Sequence, residues 1–525
     1  MSNLAVPVDL ETILILVPEG ALILSATALF VLGAADRRRS WWPVCATLPL
    51  LFALVMVVRD WGRPVLYSGP LIQDATGDTG RLLSVVLGLV MVLMAWRQTR
   101  RKLATEFFGG LLMVVAGLML VSRANDLVFL FLGTELVSIP TYMLLFLGKR
   151  NRASSEATVK YFFLSLLASA LFLYGVSFVY GMSGTTLLVG SGDLLGIRDK
   201  LPEIMQSQIG GLLPLGLVLV LAGLGFKITA VPFHFYAPDV YQGTTNVNAA
   251  FLACAPKIAG ILALTRIVVN VVPAEFYLGA KLVIVLAIVT MTVGNVCALW
   301  QTHVRRLMAY SSIAHAGYLL IGLALGLASA SSGGLHGLSA MLFYLVLYVV
   351  ATLGTFGAFA YVRSRGEEAE HLDDLAGLSQ THAPIAAMLA VCMLSLAGIP
   401  PLAGFWGKLT LFSGAVELAF DMTHPMRGWF AVLAVAGALN AAIAAAYYLR
   451  VILVMYFKPP HSDSPVTADH GLQTVVAICS VLLVLIGADP GRLLDAIEPQ
   501  AVRARQVPVE PELGMNAPDG EQIPE

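Results

Sequence analysis

Long apolar segments, separated by short polar ones, run along most of the chain. Stretches of about 18 or more apolar residues are long enough to cross the roughly 30 Å hydrocarbon core of a bilayer as helices. The pattern, with each proline-interrupted pair joined, predicts about fourteen spans near 10–34, 42–58, 80–96, 107–122, 126–148, 157–180, 211–238, 246–270, 278–300, 305–328, 335–362, 384–419, 428–456 and 471–489. An all-α polytopic membrane protein is therefore predicted.

The seventh and twelfth predicted spans break the rules for a lipid-facing helix. The seventh contains LAGLGFKITAVPFHFYAPDVYQG, with Lys227 and His234, and the twelfth contains LSLAGIPPLAGFWGKLTLFS, with Pro400, Pro401 and Lys408. Proline leaves a carbonyl unpaired, and hydrocarbon tolerates this only where protein or water covers the carbonyl. We therefore predict that both spans are broken and interior, as in the half-sites of transporters.

The two broken spans lie five apart, and this odd spacing predicts a repeat. A unit of spans four to eight followed by a unit of spans nine to thirteen must enter the membrane from opposite sides, so the units would be inverted repeats. The predicted divisions are N-terminal helices at 1–106, a first repeat at 107–270, a second at 278–456 and a final span at 471–489. Residues 490–525 are rich in Pro, Glu and Gln, which predicts a disordered tail.

Basic residues cluster in alternate loops and predict the orientation. The clusters lie at 37–39, 97–102, 149–152, 305–306 and 363–365, and the loops between them are poorer in Lys and Arg. Because cytoplasmic loops carry the excess of Lys and Arg, these clusters are expected in the cytoplasm and both termini on the outer side.

Composition supports a membrane protein and narrows its chemistry. Hydrophobic residues make up 58% of the chain and charged residues 12%, and the basic residues lie at segment ends, so no nucleic-acid partner is predicted. The five cysteines stand alone in apolar runs without zinc or iron-sulfur spacing, so no metal is expected. The sequence also lacks a phosphate-binding loop, so energy must come from a partner or an ion gradient.

Four ionisable residues are predicted at membrane depth: Glu135, Lys227, Lys257 and Lys408. A charge at the bilayer centre costs about 2.5 to 3.5 kcal/mol on insertion scales, and such groups mark ion pathways. We predict that Glu135 pairs with Lys227, since each charge lowers the burial cost of the other. Separating this pair would release a proton towards Lys257.

Other polar residues in these spans are weaker candidates. Lys160 lies nearer the end of span six, where snorkelling to the interface is an equally good explanation. His234 follows Lys227 by seven residues, about two turns along one helix face. Tyr310 and His315 open span ten in MAYSSIAHAGY. Taken singly, these histidines and this tyrosine are more simply explained as packing residues.

Five blocks of sequence resemble the antiporter-like membrane subunits of bacterial respiratory complex I, the type I NADH:quinone oxidoreductase. They are GTELVSIPTYMLLFL, GFKITAVPFHFYAPDVYQG, APKIAG, MAYSSIAHAGY and LAGIPPLAGFWGKL. The resemblance is strongest over spans four to thirteen and extends to subunits of multi-component cation/proton antiporters. It implies a proton relay formed by Glu135, Lys160, Lys227, His234, Lys257, Tyr310 and Lys408.

The resemblance also implies that this chain translocates protons and performs no redox chemistry itself. NADH, FMN, iron-sulfur clusters and quinone would be bound by other subunits, and no cofactor by this chain. Its partners would be the lipid bilayer and other membrane-arm subunits, including neighbouring antiporter-like subunits. The expected location is the inner membrane of a bacterium, with both termini on the periplasmic side.

Two other classes of function stay open at this point. A subunit of a multi-component sodium/proton antiporter or of a membrane-bound hydrogenase would carry the same deep charges, and sodium/proton exchange by the purified chain would favour the antiporter. A structural scaffold would use its charges only to fix helix register. In that case, substitutions at Glu135 or Lys227 would abolish assembly rather than transport.

Overall fold

A computed structural model describes residues 14–35, 41–99, 101–148, 151–192, 194–206, 210–272, 277–328, 334–364, 367–460 and 469–497. The predictions for most of the tail at 490–525 and for the basic cluster at 37–39 lie outside these ranges. The described part is mostly helical, and its strands are limited to two short hairpins.

The helices follow one another with short connections. Those of the first half are α1 (Val17–Ala35), α2 (Trp42–Asp60), α3 (Ala75–Ala95), α4 (Ala104–Ser122), α5 (Leu127–Leu147), α6 (Arg152–Ser183), α7 (Ile197–Gln206), α8 (Leu213–Lys227), α9 (Ala237–Gln242) and α10 (Asn246–Asn270). Those of the second half are α11 (Tyr277–Leu299), α12 (Val304–Ala328), α13 (Gly334–Tyr361), α14 (Leu378–Thr381), α15 (Ala383–Ala397), α16 (Ala403–Phe420), α17 (Arg427–Phe457) and α18 (His470–Ala488). The antiparallel hairpins pair β1 (Leu66–Ser68) with β2 (Leu71–Gln73), and β3 (Arg363–Ser364) with β4 (Glu367–Glu368).

Twelve helices in the described ranges are long and apolar enough to cross a membrane. They are α1 to α6, α10 to α13, α17 and α18. Helices α8 and α15 are also apolar, but each has only 15 residues. These findings confirm the prediction of an all-α multi-pass membrane protein.

Helices α10, α12 and α13 form the centre of the bundle. The most apolar 18-residue window of each is 100%, 100% and 89% buried, compared with 33% for α2 and for α17. A charge on a central helix is shielded from lipid and can find polar partners on its neighbours. The central helices can therefore carry ionisable groups that a peripheral helix could not.

Glycines allow α11 and α12 to pack closely along much of their length. A Cβ atom at Gly294 would lie 2.5 Å from the backbone nitrogen of Ala314, and one at Gly317 would lie 2.6 Å from that of Met291. Small residues let membrane helices approach until their backbones are in van der Waals contact. Helix α12 is thereby held against α11 on one side while its other sides face the interior.

The chain breaks between α8 and α9, within the predicted seventh span. Thr229 in this break has a φ of 60°, and the Val231–Pro232 peptide bond is cis. The hydroxyl of Tyr236 donates a 2.9 Å hydrogen bond to the carbonyl of Phe226 in the last turn of α8. This bond satisfies one of the carbonyls that a helix end leaves without a partner.

A second break separates α15 from α16, within the predicted twelfth span. Gly398 follows α15 with a φ of 84°, a left-handed conformation that glycine adopts without steric cost. The Pro400–Pro401 bond is cis, and the amide of Gly404 donates to the hydroxyl of Ser395 at 3.1 Å. Hydrogen bonds across the break thus hold the two helices together.

Candidate functional site

Glu135 on α5, which is partly exposed, and the buried Lys227 at the end of α8 form an ion pair. The Oε1 atom of Glu135 lies 3.6 Å from the Nζ atom of Lys227. Lys227 donates a 2.7 Å hydrogen bond to the hydroxyl of Ser138, and Ser169 donates a 2.5 Å hydrogen bond to Glu135. A separation of 3.6 Å is an ion pair but not a hydrogen bond. Lys227 therefore makes a hydrogen bond to Ser138 but only a longer ionic contact with the carboxylate.

The break after Lys227 packs against α10, the helix that carries Lys257. A Cβ atom at Gly260 would lie 2.5 Å from Cγ2 of Ile228 and 3.4 Å from Cβ of Lys227. Gly260 lies one turn from Lys257 on α10, so these residues share a helix face. Because Gly260 has no side chain, the end of α8 that carries Lys227 can pack closely against the part of α10 that carries Lys257.

Lys257 is buried among neutral oxygens and an aromatic ring. Its Nζ atom donates to the carbonyl of Ser312 and, at 2.7 Å, to the hydroxyl of Ser312. The hydroxyl of Tyr348 lies 3.3 Å away, and the ammonium lies 4.4 Å from the centroid of the Tyr348 ring. These groups can also hydrogen-bond a neutral amine, because a hydroxyl both donates and accepts.

His315 lies one turn beyond Ser312 on α12 and bridges two tyrosines. Its Nδ1 atom is 2.6 Å from the hydroxyl of Tyr344, and its Nε2 atom is 2.9 Å from the hydroxyl of Tyr448. The His315 ring centroid is 5.1 Å from that of Tyr348. A neutral imidazole donates from one nitrogen and accepts at the other. A proton can therefore pass across the ring by exchange of tautomers.

Lys408 on α16 is buried at the end of α15. Its Nζ atom donates to the carbonyls of Leu396 at 3.0 Å and Ala397 at 2.8 Å, which belong to the last turn of α15. A cation is stabilised there by the free carbonyls and the helix dipole. The same nitrogen lies 4.9 Å from the ring centroid of Tyr318, whose ring is 6.2 Å from that of Tyr344. Aromatic side chains therefore lie between Lys408 and His315.

Lys160 lies in a separate, more exposed group of charges. Its side chain is 40% exposed, and its Nζ atom is 2.7 Å from Glu156 and 2.8 Å from Asp239. Asp239 also pairs with Arg306 at 2.9 Å. The structure thus links Lys160 to ion pairs near the end of the bundle and not to the ion pair of Glu135.

His234 and Tyr310 are half-buried and stand apart from the hydrogen-bonded groups above. His234 lies in the break between α8 and α9, and its Nδ1 atom has no hydrogen-bond partner in the described part of the chain. Tyr310 precedes His315 by five residues on α12, which places the two side chains about 140° apart around the helix axis. The structure therefore does not join either residue directly to the His315 group.

Sequence reasoning missed most of the groups around Lys257. It did not single out Ser312, Tyr344, Tyr348 or Tyr448. Two spacings could have indicated them: Tyr344 and Tyr348 are four residues apart, and residues 312 and 315 are three apart, so each pair shares a helix face. Tyr448 has no such signal, because it lies 133 residues from the histidine that it contacts.

Sequence reasoning also missed a second set of charges. Two of its ion pairs join parts of the N-terminal region to one another, and a third joins this region to α10. Buried ion pairs join Arg81 to Glu19, Arg123 to Asp78, and Arg266 to Asp74. The pair on α10 is bidentate, with Arg266 at 2.5 and 2.7 Å from the two oxygens of Asp74. Such fork-shaped contacts fix geometry as well as charge.

The fold and its deep charges define a multi-pass membrane protein of the antiporter-like class. Residues 124–445 match the family described as NADH:quinone oxidoreductase/Mrp antiporter, TM. The chain is 36% identical over 488 residues to NADH-quinone oxidoreductase subunit N 1 of Rhizobium meliloti, covering 91% of this chain and 96% of that protein. It is 35% identical over 489 residues to subunit N of Paramagnetospirillum magneticum, covering 92% and 96%. The chain belongs to this oxidoreductase and antiporter family, and the relatives named here are subunit N.

Solved structures agree with this assignment. A chain of respiratory complex I from Thermus thermophilus with bound Aureothin matches with a TM-score of 0.74 and 31% identity, covering 91% of this chain and 98% of that one. A chain of an archaeal membrane-bound sulfane sulfur reductase matches with a TM-score of 0.80 at 22% identity, covering 94% and 97%, which shows a common fold. These comparisons confirm the family indicated by the sequence motifs.

Proposed function

We propose that this chain is the proton-translocating subunit N in the membrane arm of a bacterial NADH:quinone oxidoreductase. The names of its relatives, which cover more than nine-tenths of the chain, support this assignment. In this proposal other subunits bind NADH, FMN, iron-sulfur clusters and quinone and transfer the electrons. This chain binds no cofactor and supplies a path for protons.

The observation that carries the proposal is the row of buried groups in the central helices. Lys257 contacts Ser312 and Tyr348, and the Tyr348 ring lies 5.1 Å from that of His315 at an angle of 42°. His315 in turn bridges the hydroxyls of Tyr344 and Tyr448. Proton transfer needs groups that can both donate and accept, and lysine, hydroxyl and imidazole groups satisfy this in their neutral forms. A purely structural core would be more stable with apolar residues at these positions.

Glu135 and Lys227 control when a proton passes to Lys257 in this proposed relay. While the carboxylate is near, the lysine keeps its proton, because the opposite charge lowers the burial cost of the ammonium. When the two side chains separate, the lysine loses this stabilisation and releases its proton towards Lys257. Two observations support a pair that separates easily. The carboxylate and the ammonium are 3.6 Å apart, and the hydrogen bond to Ser138 stabilises the ammonium without the carboxylate.

Lys160, His234 and Tyr310 have supporting roles in the proposal. Lys160 holds Asp239 near the end of the bundle, and this contact helps to position α9. His234 lies in the break between α8 and α9, and Tyr310 lies on α12 five residues before His315. We assign the direct transfer steps to Glu135, to the three buried lysines, and to the hydroxyl and imidazole groups between them.

The proposed architecture has fourteen membrane crossings. Twelve are the long apolar helices, and the broken pairs α8/α9 and α15/α16 supply the other two. Residues 107–270 and 278–456 form the inverted repeats, flanked by residues 1–106 and by the span at 471–489. Each proposed repeat contains one crossing that begins with an apolar helix of 15 residues and then breaks at prolines. Both termini lie on the periplasmic side of the inner membrane.

The test uses the intact complex in inverted membrane vesicles. Lys257→Ala is expected to abolish NADH-driven acidification of the vesicle interior, while blue-native gels show full assembly and electron transfer from NADH to an artificial acceptor continues. Lys281→Ala is the matched control, because Lys281 is an exposed lysine on the membrane helix α11. Acidification at the wild-type rate by an assembled Lys257→Ala complex would overturn the proposal. Loss of assembly in both Lys257→Ala and Lys257→Gln would favour a scaffold.

A further inference from the structure

A cavity lined by both polar and apolar residues lies at the end of the bundle where α5 ends and α10 begins. Its volume is about 140 Å³, and Gly148, Thr245, Asn248 and Glu368 are among its lining residues. Arg305, from a basic cluster predicted to face the cytoplasm, lies beside it through its ion pair with Glu368. The relay described above does not use this cavity.

The carboxylate of Glu368 is held in place at this cavity by two contacts. One oxygen accepts a 2.9 Å hydrogen bond from the backbone amide of Asn246, the first residue of α10. The same oxygen lies 3.4 Å from Nη1 of Arg305, and the Glu368 side chain is 12% exposed. The other oxygen of the carboxylate is therefore available to the cavity and to solvent.

Two buried oxygens beside this cavity, one just before α10 and one on its first residue, are suited to accept hydrogen bonds from water. Oγ1 of Thr244 and Oδ1 of Asn246 are buried and have no hydrogen-bond partner in the described part of the chain. A Cβ atom at the lining residue Gly148 would lie 3.3 Å from this Thr244 oxygen, which places the oxygen at the cavity wall. Buried polar atoms are normally satisfied by protein or water, and about 30 Å³ holds one water molecule.

The connection between α9 and α10 leads from this cavity to Lys257. Tyr241 precedes Thr244 by three residues, and its hydroxyl lies 3.4 Å from the hydroxyl of Ser312. Ser312 in turn accepts the 2.7 Å hydrogen bond from Lys257. The hydroxyls of Tyr241 and Ser312 therefore form the inner part of a route to the lysine, and the short segment from Tyr241 to Thr244 leads from there towards the cavity wall.

We propose that Glu368 is the proton-uptake residue of this subunit, loading Lys257 through the hydrated cavity and the hydroxyls of Tyr241 and Ser312. The Glu368 carboxylate accepts a proton from bulk water and passes it to water in the cavity. Each hydroxyl on the route accepts a proton on its oxygen and releases its own, and neutral Lys257 accepts the last proton to become an ammonium. Glu368 is then a carboxylate again. This inference rests on the proposed function in proton translocation.

Glu370 provides a matched control, because it pairs with the same arginine. Its Oε1 atom lies 2.6 Å from Nη2 of Arg305, but Glu370 does not line the cavity. Glu368→Gln is expected to lower the initial rate of NADH-driven acidification about tenfold, equivalent to about 1.4 kcal/mol of barrier. Glu370→Gln is expected to leave the rate within about twofold, and Glu368→Asp to restore most of it, because only a carboxyl group can carry the proton.

Gly148→Val tests the cavity without altering the carboxylate. Its added side chain would displace water beside Thr244 and should slow acidification in an assembled complex, even if Glu368→Gln failed to assemble. If Glu368→Gln and Glu370→Gln reduced the rate of acidification equally, the effect would come from their shared partner Arg305, and the inference would be overturned. Wild-type rates in Glu368→Gln and Gly148→Val, together with a loss in Lys257→Ala, would overturn the uptake route alone. Wild-type rates in all three variants would overturn the proposed function as well.

Discussion

Lys227 donates its shorter contact, 2.7 Å, to Ser138, while Glu135 lies 3.6 Å from the same nitrogen. The ammonium has three protons, so it contacts the serine and the carboxylate at the same time. Ser138 itself donates to the carbonyl of Thr134 one turn earlier, so its lone pairs point towards the lysine. A neutral partner of this kind stabilises the buried ammonium without adding a charge.

Removing this hydroxyl should make the ammonium of Lys227 harder to form. In Ser138→Ala the charged form loses the hydrogen bond at 2.7 Å, so Lys227 releases its proton more easily but takes one up less readily. A hydrogen bond to a charged group contributes about 1.5 to 3 kcal/mol, so we expect slower proton uptake to reduce vesicle acidification about tenfold or more. Thr141→Ala is the control, since Thr141 donates only to the backbone of its own helix. Equal rates in both variants would contradict this role of Ser138.

The bridge formed by His315 predicts non-additive substitutions. Tyr344→Phe and Tyr448→Phe each remove one hydroxyl from the imidazole, and transfer in series fails when either is missing. Each should therefore slow acidification by about 10²-fold, the lower end for a positioned acid or base, and the double variant should be no slower than the worse single one. Rates that multiply would indicate parallel paths.

Tyr236→Phe is the control for these variants. Its buried hydroxyl donates to the backbone carbonyl of Phe226 at 2.9 Å and does not contact the histidine ring nitrogens. We expect the rate of vesicle acidification to stay within about twofold of wild type. A loss as large as that of Tyr448→Phe would show that burial of any tyrosine hydroxyl here matters more than its contact with the imidazole.

Lys408 predicts a separation of stability from transport. Lys408→Arg retains donors for the two α15 carbonyls but cannot release a proton, so the complex should keep its thermal stability and lose acidification. Lys408→Met should also lose acidification, and its thermal stability weighs the two lost hydrogen bonds against the relieved cost of burying an ammonium. Thermal unfolding of the purified complex and vesicle acidification measure the two effects. Acidification by Lys408→Arg would exclude Lys408 as a proton carrier.

His303 predicts a loss of stability in acid. It lies in the turn before α12, outside the spans, and burial together with the nearby Arg305 guanidinium lowers its pKa to about 4. An unfolded histidine binds a proton near pH 6.5, whereas the folded one does so only near pH 4, so stability falls as the pH drops from 6.5 towards 4. At pH 5 this loss is about 2 kcal/mol.

The check is the melting temperature of the complex at pH 7 and pH 5. His303→Asn lacks the titrating group, so its decrease between these two pH values should be smaller than that of wild type. Other groups titrate equally in both proteins, so the comparison isolates the histidine. The same decrease in both would show that His303 is already charged in the folded protein at pH 5.

The sequence allowed the membrane architecture to be predicted because apolar length and proline are local signals. Both breaks fall where Pro232 and Pro400 indicated them, and the depth of Glu135 in its span was enough to suggest Lys227 as its partner. Helix ends were harder to predict. Helix α3 begins at Ala75 and not near 80, because Asp74 caps it and charges in its first turns are buried in ion pairs.

Contacts between distant residues could not be predicted from one sequence. Tyr448 meets His315 across 133 positions, and Arg266 meets Asp74 across 192. Each of these polar residues, taken alone, is expensive inside a membrane, and only the folded neighbour removes the cost. A hydropathy pattern shows where a polar residue lies in an apolar segment, but not which distant residue pairs with it. The hydroxyls around Lys257 were missed for the same reason.

Helix α10 is anchored at both of its ends. Arg266 forms a bidentate ion pair near one end with Asp74, the residue that caps α3, and the backbone amide of Asn246 at the other end donates to Glu368 of β4. A helix fastened in this way cannot slide or tilt like a piston without breaking a buried ion pair. In the proposed pump, energy from elsewhere in the assembly would therefore reach Lys257 as a change in local electric field or in water occupancy, while the helix itself stays fixed.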